Sequence, residues 1–137
     1  MKRSYSLKRN KEFRHTYRRG ESKAAKGLVI VYNRRYIKPQ KQRDAKDAEL
    51  LKKERSRLRV GFSVSKKLGN AVGRNYIKRR LRAALDPLIK ANRIKGGYDV
   101  IFIAREPIKS YDLPAIEREI YSLIRRAELL CDTERKI

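Results

Sequence analysis

The chain has 137 residues, of which 38 are Lys or Arg and 15 are Asp or Glu, giving a formal net charge of +23. With 40% hydrophobic residues, this length predicts one modest domain spanning 1–137. No apolar run approaches the ~20 residues of a transmembrane helix, and the basic N-terminus leads into no signal-peptide core, so the expectation is a cytoplasmic protein with no membrane partner. One cysteine (Cys131) and one histidine (His15) exclude an intrachain disulfide and a Cys/His zinc site, and leave little for a Cys-His nucleophile. Self-repulsion on this scale calls for a polyanionic partner.

Residues 10–20 read as a short helix, with Asn10 as N-cap, Gly20 as C′ residue, and Phe13 and Tyr17 four apart on one face. Residues 28–32 are a continuous apolar, β-branched run, the pattern of a buried strand. The segment 33–57 is rich in Lys, Arg, Gln and Asp and is expected as a basic loop insertion, its later half (45–58) having the composition of a charged helix. Alternation returns over 58–65. There Val60, Phe62 and Val64 point one way, while Gly61, Ser63 and Ser65 leave a small opposite face. Asn70 caps a helix predicted over 71–85 and ended by Asp86-Pro87, because the residue before proline avoids the helical region. Gly96-Gly97 opens a strand over 98–104, apolar on both faces and therefore central. A last helix begins near Asp112, with an apolar stripe through Ile116, Ile120, Leu123, Ile124 and Leu130. The order αββαβα predicts an α+β fold with helices packed on a small sheet.

Charge is unevenly placed. Residues 99–137 hold eight acidic and seven basic side chains, so residues 1–98 carry +24. Residues 22–43 and 55–85 contain no acid, and the second stretch has ten Lys and Arg. On the helix after Asn70, ~100° steps gather Ile77, Leu81, Ala84 and Leu85 on one side, joined by Leu88 if the helix frays past Pro87 or continues as a turn. Arg74, Asn75, Lys78, Arg79 and Arg82 fall on the adjoining side with no carboxylate between them. Like charges at i, i+4 cost a few tenths of a kcal/mol each, and Arg74 lies at the helix start, where a cation opposes the dipole. Such a face suits phosphates better than it suits stability. The free N–H groups near residues 69–71 add an anion site.

The run from Arg59 to Arg82, including Ser-Lys-Lys-Leu-Gly-Asn-Ala-Val-Gly-Arg-Asn-Tyr-Ile-Lys-Arg-Arg, resembles the signature of the bacterial ribonuclease P protein component. Its Arg-Asn-x-x-Lys-Arg core matches at Arg74, Asn75, Lys78 and Arg79, and the resemblance covers most of the chain except 33–57. It implies binding to a large catalytic RNA through Lys66, Lys67, Asn70, Arg74 and Asn75, and through Lys78, Arg79, Arg80 and Arg82. It further implies a cleft for the 5′ leader of precursor tRNA at Phe13, Tyr17, Ser63 and Ser65, where base stacking on a ring contributes ~1–3 kcal/mol. Anchoring of the helix to the sheet is the alternative role for both rings. Tyr32 stands one place after the strand position where that family often has an aromatic, so alternation turns it away from the cleft unless a bulge shifts the register. A left-handed strand–helix–strand crossover is implied by the resemblance alone. So are magnesium held mainly by the RNA, hydrolysis by the RNA rather than by this chain, and a monomeric protein within a ribonucleoprotein.

The residues themselves agree with an endoribonuclease subunit that carries no catalytic group. A protein hydrolase using two metals needs convergent carboxylates, whereas the basic half has few and His15 has no evident partner. A structural RNA-binding protein of ribosomal type would share the charge and size without the long motif. A helix-turn-helix DNA-binding protein needs a helix before the basic one, where a strand is predicted. A self-sufficient nuclease is separated from all of these by activity without RNA.

Overall fold

The structure, a computed structural model, describes residues 6–7, 10–35 and 57–131. Helix α1 (Asn10–Arg19) is followed by strands β1 (Glu21–Ala24), β2 (Leu28–Arg34) and β3 (Arg59–Ser63). Helix α2 (Ala71–Lys90), strand β4 (Tyr98–Ala104) and helix α3 (Leu113–Arg126) complete the chain, with 3-10 turns at Lys66–Leu68 and Glu106–Ser110. The αββαβα order holds, with β1 as a short addition. The proposed helix at 45–58 and most of the 33–57 insertion lie outside the described residues, while Asn33 and Arg34 extend β2.

The sheet order is β1-β2-β4-β3, with β3 and β4 parallel and the other pairs antiparallel. β4 is central, as its apolar run predicted. Strand alternation divides the core in two. One face presents Leu28, Ile30, Tyr32, Val60, Phe62, Val100 and Phe102 to the apolar stripes of α2 and α3, including Leu81, Leu85, Ile120 and Leu123. Phe62 and Phe102 pair in register and stack with centroids 6.1 Å apart. The other face carries Val31 and Ile101, on which Leu7 and Phe13 pack. Each sheet face is thus closed by helices, α1 on one side and α2 with α3 on the other.

Three boundaries differ from expectation. The strand predicted over 58–65 is ordered over Arg59–Ser63. Helix α2 does not end at Leu85 but continues through Pro87 to Lys90. Pro87 has no N–H for the carbonyl of Ala83, and both residues are exposed. The continuation lets Ile89 and Leu88 join the core. The helix closes at Asn92 (φ 53°), with Asn92 N–H donating to Ile89 O and Arg93 N–H to Leu88 O, each at 3.0 Å. Helix α3 stops at Arg126 rather than reaching Leu130, through the same closure around Glu128 (φ 60°). Leu130 then bridges to Ile94. Gly20 is not in the left-handed region expected of a C′ glycine. It is needed for space, since a Cβ there would lie 2.5 Å from Thr16 O and 2.7 Å from Tyr32 O.

Candidate nucleic-acid interface

Helix α2 starts as the sequence requires. Asn70 is extended, and its side chain accepts from Gly73 N–H at 2.9 Å. Burial of Ile77, Leu81, Ala84 and Leu85 fixes the rotation of the helix and leaves Asn75, Arg79 and Arg82 exposed, with Arg74 and Lys78 half-buried. Lys66 and Lys67 stand exposed on the 3-10 turn just ahead, beside exposed Asn70. The Arg82 guanidinium lies 5.8 Å from the Phe62 ring centroid, so this flank runs beside edge strand β3. The acid of α2 is Asp86, near its far end, where the Lys90 ammonium 2.9 Å away holds its carboxyl below the usual range. The basic flank read from the sequence is therefore continuous in space.

Arg80 does not join it. Its Nη1 donates to Tyr111 O at 2.8 Å and its guanidinium sits 5.5 Å from the Tyr76 ring centroid, on the flank of α2 that faces α3. At ~100° per residue, Arg80 falls roughly 240° from Arg74, across the buried stripe.

On the opposite sheet face, Gly61 receives Phe13. A Cβ at Gly61 would lie 2.5 Å from Phe13 Cζ, so the ring rests on the bare backbone of β3. Phe13 is half-buried, whereas Tyr17, 6.4 Å away between centroids, is 43% exposed. Ser63 is half-buried on the Gly61 side and Ser65 is exposed beyond the strand. Phe13 anchors α1, and Tyr17 is the accessible ring of the pair. The β2–β4 register is unbroken from Leu28 to Arg34, so no bulge intervenes and Tyr32 faces away from α1. It is 8% exposed, donates to Glu21 Oε2 at 3.1 Å, and has its phenol raised above the ordinary range by burial and by that carboxylate.

Sequence reasoning missed the ionic cluster beneath α1. Arg59 of β3 pairs with Asp99 of β4 through Nε–Oδ1 and Nη2–Oδ2, both 2.7 Å, and Arg59 Nη1 reaches Glu12 Oε1 at 2.6 Å. Arg35 Nε lies 3.4 Å from the same Asp99, which is 2% exposed. The cluster borders a depression of about 490 Å³ lined also by Lys11, Arg14, His15 and Arg18. Its signal was two opposite charges at the ends of otherwise apolar strands, which the run of apolar neighbours hid. Among the described residues no three His, Cys, Asp or Glu side chains form a group able to hold a metal ion, and no helix is long and apolar enough to cross a membrane.

The family model for ribonuclease P matches residues 1–128. The chain is 35% identical over 136 residues to the ribonuclease P protein component of Oceanobacillus iheyensis, covering 99% of this chain and 97% of that one. It is 39% identical over 133 residues to the corresponding protein of Clostridium botulinum, covering 97% and 96%. The RNase P protein of Staphylococcus aureus superposes with a TM-score of 0.71 at 31% identity, over 93% of this chain and 98% of that one. The Thermotoga maritima protein, 19% identical with a TM-score of 0.67 over 88% and 96% of the two chains, shares the fold. The chain belongs to the ribonuclease P protein family.

Proposed function

We propose that this chain is the RNA-binding subunit of a tRNA-processing ribonucleoprotein. It binds the catalytic RNA and the 5′ leader of precursor tRNA and assists magnesium-dependent endonucleolytic removal of the leader. The observation that carries the reading is the acid-free flank of Arg74, Asn75, Lys78, Arg79 and Arg82 beside Lys66 and Lys67. These cations position RNA phosphates, while Asn75 adds polar contacts to sugar or base edges. Tyr17 offers a stacking face for the leader. Phe13 holds the helix that carries it, and Ser63 and Ser65 leave room for a backbone to pass.

The described side chains do not gather into a magnesium site. Among the described residues, the Glu12 and Asp99 carboxylates are both engaged by Arg59, and no other metal-binding group forms. Magnesium and the hydrolytic step belong to the RNA in this reading, and the protein supplies positioning within a cytoplasmic particle containing one copy of the chain.

Incubation with precursor tRNA and magnesium, with and without a bacterial ribonuclease P RNA, tests the proposal. Cleavage at the mature 5′ end is expected only when the RNA is present, and cleavage by protein alone overturns the reading. Arg74→Ala, Asn75→Ala and Arg79→Ala should each weaken affinity for that RNA several-fold. Unchanged affinity in all three rejects the role of this face.

A further inference from the structure

Arg80 and Tyr76 stand over a second feature that the basic flank does not use. A pocket of about 190 Å³ opens between α2, the two 3-10 turns and the start of α3. Its floor is Leu68, Ile77, Ile108 and Ile116, all buried. Tyr76, 52% exposed, and Arg80 form one wall, and Lys109 stands at the rim. An apolar cavity of ~150 Å³ is known to hold a benzene ring, so this one has room for an aromatic ring system.

We propose that the pocket receives a single unstacked RNA nucleobase, with the adjoining phosphate held by Arg80 and Lys109. The ligand class rests on the RNA-binding reading above; the location rests on geometry. Three observations select a nucleotide over an apolar peptide. The lining pairs an apolar floor with two cations and no carboxylate, which matches a ring attached to a phosphate and leaves an apolar segment with nothing for the charges. Among the described residues the Lys109 ammonium meets only the largely exposed Glu106, at 3.4 Å, a pair that contributes little against a phosphate. Arg80 is fixed by its hydrogen bond to Tyr111 O and lies over Tyr76, so ring and guanidinium form a preorganised wall on which a base stacks. Gly73 lines the mouth, and a Cβ there would meet only Asn70 Oδ1 at 3.5 Å. A side chain at this position is therefore accommodated by the fold while narrowing the entrance.

The test is a titration of the full chain with 2-aminopurine riboside 5′-monophosphate, read by quenching of its fluorescence. Wild type should quench it. Tyr76→Ala should weaken binding about tenfold or more, and Gly73→Leu should abolish it while melting no lower than wild type. Lys26→Ala, an exposed cation outside both the pocket and the basic flank, should leave it unchanged. Adenosine 5′-monophosphate should compete at concentrations where inorganic phosphate does not. Absence of quenching by wild type, wild-type quenching by both pocket variants, or equal competition by inorganic phosphate overturns the proposal. Affinity for the catalytic RNA, measured on the same samples, keeps the two readings apart. Intact RNA binding without quenching sinks the pocket alone, whereas loss of RNA binding in wild type sinks the function on which it rests.

Discussion

Phe13 occupies the volume that any side chain at position 61 would fill, and this contact couples the N-terminal helix to the sheet. A Cβ at Gly61 would also lie 3.3 Å from Leu7 Cβ, so the ring has no free direction of retreat on that side. Gly61→Ala is expected to destabilise the protein by about 1–3 kcal/mol, the cost of overpacking. In a Phe13→Ala background the same change should be nearly neutral, which urea unfolding of the four variants in a double-mutant cycle would establish. Additive effects would show that the two residues do not meet. The small face of β3 was legible in the alternation of Gly61 and Ser63 with Val60 and Phe62. Its occupant was not, because sequence spacing places Phe13 on a helix face without saying which strand lies beneath.

At the level of elements, burial decided where periodicity and local propensity disagreed. The central strand and both long helices follow their apolar patterns, since a face that must be buried leaves little choice of rotation or register. Strand β1 has the sequence Glu-Ser-Lys-Ala and is largely exposed; it exists by pairing with β2, which no hydrophobic pattern announces. Pro87 reads locally as a stop, yet the core contacts of Ile89 carry the helix one turn further. Its missing hydrogen bond remains a cost. Pro87→Ala should therefore raise stability by about 2 kcal/mol, the interior-proline penalty less the gain in unfolded-chain entropy. Thermal melting measures this, and an unchanged or lower midpoint would show that the backbone is adapted to proline there. The basic flank of α2 was readable because it depends on a helical period alone. The Tyr76–Arg80 pocket depends on where α3 and the turn before it come to rest, which sequence spacing does not give.

For the molecule as a whole, a net charge of +23 makes affinity for RNA a function of ionic strength. Each neutralised phosphate contributes roughly −0.7 to −0.9 to the slope of log K against log salt. Binding to the catalytic RNA should fall steeply with salt, and each of Arg74→Ala and Arg79→Ala should flatten the slope by about one such unit. Equal slopes for wild type and variants would place the phosphate contacts elsewhere. The Arg59 cluster bears on this balance from inside the fold. By holding the half-buried Glu12 carboxylate 2.6 Å from its guanidinium, Arg59 pairs the one acid of α1. What remains outward on that helix is Lys11, Arg14, Arg18 and Arg19, all exposed. A half-buried ion pair thus sharpens the exterior field: α1 and α2 present cationic surfaces on opposite sides of one sheet, and a polyanion that folds around the protein meets attraction from both.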